Sequence, residues 1–447
     1  MGKARYLSLL AATLPLLLCP GACAKRGPAP DQAEKPFVFE GRPPSAVTFL
    51  STQLNPVEEA GKMRNAILKD FPGEVDFRPN DNSYMFRQVG ALLAADPAEP
   101  ILLGATHGDL VSLYEKGGLR PASDIVAGLG ERGFPEPLLR LCRLNGATEY
   151  YVPWMQASFV MVASRKALSY LPKGVDLHSL GYDQLLDWAK AIYEKTGKRA
   201  LGFPAGKTGL MHRFFQGYLY PSFTGSTLLK FRGPAAEPMW EYFKELWRYA
   251  HPGSLVYSAM SDPLLAGDVW IAWDHTARLM KAFEQRPEDF AAFPAPAGPA
   301  GRGFMLIVSG LALPAGGREV ASQAMLVDYL TRAPIQARTL REVGFFPVVA
   351  LGPGDRVPAH LASLSAALRE QAESSFSLPA LAPTGLGEHG AAFNERYMLT
   401  FSGIVLEGRP AREVLDEGAA ELQRIVDAAD ARCWLPDVSE RRPCLLE

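Results

Sequence analysis

What this chain lacks narrows its class before any motif is read. Beyond the first two dozen residues there is no run of about 18 consecutive apolar residues, so no later segment is long enough to cross a bilayer as a helix. The seven histidines are scattered, and no pair has metal-ligand spacing. There is no G-x-S-x-G elbow and no H-E-x-x-H pair. Gly206-Lys207-Thr208 invites a phosphate-loop reading, but the motif needs glycine where Leu201 stands; Gly202 leaves the loop a residue short, and an ordinary turn is expected. Positive charge is not in excess, with 46 Lys and Arg against 48 Asp and Glu, and no basic patch of the kind that holds nucleic acid stands out. These absences leave no argument for catalysis, a metal, a cofactor or a nucleic-acid partner.

The N-terminus is informative. Lys3 and Arg5 precede an apolar run from Tyr6 to Leu18, followed by Cys19-Pro20-Gly21-Ala22-Cys23-Ala24. A basic start, a short apolar stretch and small residues form a secretory signal. Gly21-Ala22-Cys23 resembles a bacterial lipobox, which would make Cys23 the lipid-bearing first residue of the mature protein; cleavage after Ala24 is the alternative. Either way the chain is expected to be exported, and a lipid on Cys23 would anchor it to the cell membrane, facing the periplasm or exterior. Cleavage before Cys23 removes Lys3 and Arg5, leaving 44 basic against 48 acidic side chains, a net charge of -4. Of the remaining cysteines, Cys433 and Cys444 share a short polar tail and are expected to form a disulfide in an oxidising compartment. Cys142, within Leu139-Arg-Leu-Cys-Arg-Leu144, reads as a buried thiol.

Residues 25–44 read as a tether, broken by Gly27, Pro28, Pro30, Pro36, Pro43 and Pro44. From Ser45 strand and helix patterns alternate. Ala46–Leu50, Val75–Phe77 and Ile101–Leu103 are short apolar strands. Between the first two, Asn55-Pro56-Val57-Glu58 predicts a helix capped by Asn55, with Ala60, Met63, Ile67 and Phe71 on its apolar face. This is the rhythm of a parallel sheet covered by helices. A second α/β region opens near Pro153 with the strand Ser158–Ala163. A helix follows from Gly181, carrying Leu185, Trp188, Ala189 and Ile192 and closed by Gly197. Further helical faces run through Met239–Ala250, Val320–Leu330 and Leu415–Ile425, and the Pro- and Gly-rich run Phe293–Gly303 reads as an extended surface loop.

Aromatic and polar residues recur just after strands. Thr106, His107 and Asp109 follow the third strand, Trp154 and Gln156 lie where the two halves meet, and Trp270, Trp273, Asp274 and His275 end another strand. In open α/β sheets ligands bind beyond the carboxyl ends of the strands. Indole rings suit the flat apolar faces of sugars, while Asp, His and Gln hydrogen-bond hydroxyls. All nine are therefore candidate ligand-binding residues, with plain core packing as the alternative for Trp154, Trp270 and Trp273.

At these positions the chain resembles the extracytoplasmic solute-binding proteins of ABC transporters, in the carbohydrate-binding group that includes the maltodextrin-binding proteins. The resemblance runs from about Val47 to Ala428. It is carried in order by Gly104–Leu110 with Tyr114–Pro121, by Tyr151-Val-Pro153 before Ser158–Ala163, and by Tyr182-Asp-Gln-Leu-Leu186. Ala266–Trp273, Gly310-Leu-Ala-Leu-Pro314 and Gly344-Phe-Phe-Pro347 complete it. Ala163-Ser-Arg165 departs from the Tyr-Asn-Lys that members often have there. The resemblance implies a two-lobed α/β periplasmic-binding-protein fold with discontinuous lobes joined by a hinge. One lobe would span 45–153 and 308–347, the other 154–307 and 348–435, with 436–447 as a tail. It implies a sugar or oligosaccharide bound between the lobes and delivered to the permease of an importer. The alternatives are another solute, such as a polyamine or glycerol phosphate, or a secreted glycoside hydrolase, which would need paired carboxylates such as Asp109 and Asp274 facing one cleft.

Overall fold

The computed structural model describes residues 39–447 apart from 96–98, 145, 317–319, 353 and 440. The signal, Cys23 and most of the tether lie outside the described residues.

Two sheets organise the chain. In the first, β1 (Val47–Ser51), β2 (Val75–Pro79) and β3 (Ile101–Thr106) run parallel in the order β2-β1-β3. β1 and β3 are buried on both faces, which explains their near-continuous apolar sequences. On one side Val47, Phe49 and Leu102 pack with Trp154, Leu311 and Leu330; on the other Leu50, Leu103 and Ala105 pack with Leu110 and Tyr151. β4 (Val152–Ala157) joins this sheet rather than the second one, so the first sheet extends past Pro153. The second sheet has the order β6-β7-β5-β8, from β5 (Phe159–Ser164), β6 (Leu201–Gly202), β7 (Ile271–His275) and β8 (Phe290–Phe293). Its alternation divides Phe159 and Met161 from Val160 and Val162, which feed separate apolar clusters.

One strand ties these parts together. β9 (Arg302–Ala312) pairs through Arg302–Leu306 with β10 (Ser377–Leu381), through Ile307–Leu311 with β4, and through Ser309–Ala312 with β3. The segment after Gly344 crosses at the same place: Gln156 and Phe346 exchange both backbone hydrogen bonds, at 3.0 and 2.7 Å. Three crossings therefore lie side by side between the lobes.

Local chemistry accounts for the elements and for two differences from the sequence reading. In the helix Tyr182–Thr196 the Gln184 side chain accepts from the Gly181 N–H at 2.9 Å, and Gly197 stops the helix at φ 70°, where a side chain would be strained. Asn55 is not a cap. Its amide donates to the carbonyls of Thr52 and Asn80, and the helix Val57–Lys62 begins after Pro56. The run 293–303 is not a surface loop. Phe293, Pro294, Ala295 and Pro296 are buried, only Pro299 and Ala300 are exposed, and β9 begins at Arg302. Cys433 and Cys444 are bonded, with Cα atoms 4.8 Å apart, and Cys142 is a buried free thiol.

Candidate functional site

A cleft of about 480 Å³ is lined by the ends of β1 and β3, the loop after β2, the end of β7 and the segments around Arg213 and 382–394. Its first wall is built around Asp109. Thr106, the last residue of β3, caps the helix His107–Glu115, and Asp109 sits in that helix's first turn, where a carboxylate is favoured. The Thr106 hydroxyl donates to Asp109 Oδ2 at 2.7 Å, the Thr52 hydroxyl to the same oxygen at 3.4 Å, and the Asn82 amide to Oδ1 at 2.7 Å. Burial raises the Asp109 carboxyl above its ordinary range, although these hydrogen bonds and the charge of Arg213 pull it back. Gly108 is needed here: a Cβ would lie 2.3 Å from the Pro383 carbonyl oxygen, so only glycine lets 382–394 close over the wall.

The second wall carries donors. His275 ends β7 and caps the helix Thr276–Gln285, its Nδ1 accepting from the Ala277 N–H at 3.3 Å. That bond assigns the ring proton to Nε2, as a donor. Burial, aided by the charge of Arg278, pushes the imidazole down to about 3, so it is neutral. Its ring stands edge-on to Phe159, centroids 5.0 Å apart, and Phe159 is the aromatic ring of the cleft lining. Arg213 donates through Nη1 to Gln216 Oε1 at 2.9 Å, and Gln216 donates in turn to Asn394 Oδ1 at 3.0 Å. Burial pushes the Arg213 guanidinium down to about 10.

Of the nine candidate residues, Thr106, Asp109 and His275 line this cleft. His107 sits behind Thr106, its Nδ1 paired with the Tyr151 hydroxyl at 2.9 Å and its imidazole pushed down to about 4 by burial. The others do other work. Trp154 is fully buried against Phe49, centroids 5.4 Å apart, in the core of the first lobe. The Gln156 amide donates to the Pro347 carbonyl at 2.8 Å and so joins two crossings. Trp270 lies at the far end of β7, beneath Lys166 at 4.2 Å and Lys198 at 5.3 Å. Trp273 does not face the cleft: it is fully buried and stacks behind Phe159, centroids 4.6 Å apart. Asp274 points to the opposite face of β7, as strand alternation requires. Its carboxylate accepts the N–H of Met260 at 2.8 Å and of His275 at 2.7 Å, and burial pushes it up to about 7. Asp109 and Asp274 thus do not face one cleft, which removes the carboxylate pair a glycosidase would have drawn on. The sequence reading missed Gln53, Asn82, Phe159, Arg213 and Asn394. Asn80-Asp81-Asn82-Ser83 follows a parallel strand and was findable by the strand-end rule; a lone arginine inside the apolar run Leu210–Leu219 was a second signal.

The model of the bacterial extracellular solute-binding proteins matches residues 74–337. The chain belongs to this family. Members of the solute-binding family are binding proteins, and the two lobes with a polar cleft between them are what such a role requires. Among solved structures, UgpB from Mycobacterium tuberculosis, in complex with glycerophosphocholine, is similar at 18% identity and a TM-score of 0.67, over 86% of this chain and 99% of that one. The sugar-binding protein MalE from Xanthomonas citri gives 18% and 0.65, over 85% and 97%. The GacH receptor of Streptomyces glaucescens, solved unliganded and with acarbose, gives 15% and 0.64, over 85% and 98%. At these identities the likeness is one of fold. Comparison with the curated proteins finds no match. Among the described residues no helix is long and apolar enough to cross a membrane.

Proposed function

We propose that this solute-binding protein captures a carbohydrate between its lobes and delivers it to the permease of an ABC importer. The observation that carries the reading is the cleft itself. Hydrogen-bonding groups converge on it from both lobes, with Asp109, Thr106 and Asn82 on one side, His275, Arg213 and Asn394 on the other, and the Phe159 ring between them. A polyhydroxylated solute touching both walls gains its full set of contacts only when the lobes are together, so binding shifts the population toward the closed form. The sugar-binding protein of X. citri and the acarbose-binding GacH receptor support a carbohydrate. A polyamine is disfavoured by the arginine in the cleft. The lobes divide at the crossings around residues 153, 307 and 347, and a lipid on Cys23 holds the protein at the outer face of the membrane.

The test is a thermal-shift and calorimetric screen across mono- and oligosaccharides. A true ligand at a hundredfold its Kd stabilises the protein by about 2.7 kcal/mol, and Asp109→Ala, which unties Thr52, Asn82 and Thr106 together, should abolish the shift. A screen in which no sugar stabilises the protein would sink the carbohydrate reading. Cys23→Ser should release the protein into the soluble fraction and end labelling by a fatty-acid probe; continued labelling would refute the lipid anchor.

A further inference from the structure

Arg213 is the only arginine or lysine lining the cleft among the described residues. It is partly buried, and it makes no salt bridge among them. One of its side-chain donors goes to Gln216; the other guanidinium donors have no acceptor among the described residues. Asp109 attracts it across the cleft, yet burial outweighs that attraction, since the guanidinium is still pushed down to about 10. The oxygens of Asp109 are already occupied by Thr106, Thr52 and Asn82. The other two acids of the lining, Asp81 and Glu388, are exposed at the rim, where water and salt screen them. No Arg213 atom is among the buried unpartnered ones of the described residues, so its free donors reach the cleft, where an anion can meet them.

The neighbours of Arg213 point the same way. Asn394 lines the cleft and accepts from Gln216 through its carbonyl oxygen, which leaves its NH₂ without a bond among the described residues. His275 has its Nδ1 taken by a backbone N–H, which leaves Nε2–H. Arg213, Asn394 and His275 therefore turn donors to the cleft, while the buried acid Asp109 stands on the other wall.

We propose that Arg213, with Asn394 and His275, binds an anionic oxygen group on the solute, a phosphoryl or a carboxylate, so that the cleft takes an acidic sugar or polyol derivative in preference to the neutral parent. This rests on the carbohydrate reading and narrows it. Hydroxyls meet the Asp109 wall, and the anion meets the donor wall through charge-assisted hydrogen bonds.

The experiment is calorimetry on matched sets: glucose, glucose 6-phosphate and glucuronate; glycerol, glycerol 3-phosphate and glycerophosphocholine. Each is measured on the wild type, Arg213→Gln and Arg213→Lys, alongside a thermal-shift series in inorganic phosphate. At least one acidic member should bind more tightly than its neutral parent. Arg213→Gln should weaken that member by about 10- to 100-fold, the range for a hydrogen bond to a charged group, and weaken the parent by less, so that the ratio between them falls. Arg213→Lys should recover part of the loss, and the phosphate or carboxylate arm that gains identifies the group. Inorganic phosphate should raise the melting temperature of the wild type more than that of Arg213→Gln, both sharing its general salting-out effect, and the ligand-free Arg213→Gln protein should melt no lower than the wild type. Equal affinity for parent and acidic member, with a ratio indifferent to Arg213→Gln, overturns the proposal. So does a lower melting temperature in ligand-free Arg213→Gln with that ratio unchanged, which would make Arg213 a structural partner of Asp109. If no sugar of either kind binds but phosphate still separates wild type from Arg213→Gln, the carbohydrate reading fails and the anion site stands. If no acidic member gains over its parent and phosphate moves both proteins alike, the anion site itself is wrong.

Discussion

Trp273→Ala separates a structural ring from a ligand platform. The indole is fully buried; it lies parallel to Phe159 within 3° at 4.6 Å and meets Phe214 and Tyr218 edge-on at 5.1 and 5.2 Å. Truncating such a ring costs about 3–5 kcal/mol through lost transfer energy and the cavity left behind. The indole Nε1 has no hydrogen-bond partner among the described residues. Removing it relieves an unsatisfied donor, so the loss should fall near the lower end, about 3 kcal/mol. Trp273→Phe keeps one ring, discards the unpaired N–H and should cost only about 1–2 kcal/mol. Urea unfolding of the ligand-free proteins, followed by far-UV circular dichroism, measures both. Solute affinity should fall only secondarily, as Phe159 loses its support. If Trp273→Ala unfolds within about 1 kcal/mol of the wild type while affinity collapses, the ring is a platform and its placement in the core is wrong.

Three further outcomes are expected. His275 is held neutral in the fold, down to about 3, but titrates near 6.5 when unfolded; its contribution is present above pH 6.5 and is lost as the pH falls toward 3. His275→Asn, which keeps a capping acceptor, should therefore flatten the dependence of unfolding free energy between about pH 6 and 4 by about 1.4 kcal/mol per pH unit, and urea midpoints showing an unchanged slope would refute a buried neutral ring. Gln156→Ala cuts the amide link to Pro347 without touching the cleft, so it should alter solute affinity by about 2- to 30-fold and change the radius of gyration of the ligand-free protein in solution scattering; unaltered values would mean the crossing does not set the lobe equilibrium. Replacing Cys433 and Cys444 by serine should cost about 2–3 kcal/mol, from the entropy of an 11-residue separation, and reductant should bring the wild type down to the variant's urea midpoint; a reductant-insensitive midpoint would count against the bond.

What the sequence revealed follows the range of the forces involved. β1, β3 and the helix Tyr182–Thr196 were legible because burial on both strand faces, helical periodicity and the stop at Gly197 are written locally. β9 was not. Arg302 and Gly303 look like loop, and what makes them strand is pairing with Ser377 and Leu378, far along the chain. The same contrast divides the site. Thr106 and Asp109 follow a parallel strand, so the strand-end rule finds them. On β7 the rule finds His275 but overreaches to Asp274, on the opposite face, and to Trp273, which lies two residues back beneath Phe159. Arg213 follows no strand at all, and its neighbourhood with Asp109 and Asn394 exists only once distant segments have met.

The pairing of β3 with β9 sets a timetable for the chain. Leu103 has its sheet partner in Ala312, and Gln156 waits for Phe346. A chain emerging from its N-terminus must therefore hold β1 to β3 with an unpaired edge until some two hundred further residues have followed, and the bundle of crossings closes only after Phe346. Such delayed, long-range closure slows folding. The fold thus acquires its form only when most of the chain is available, since the last crossing to join the bundle comes at Phe346.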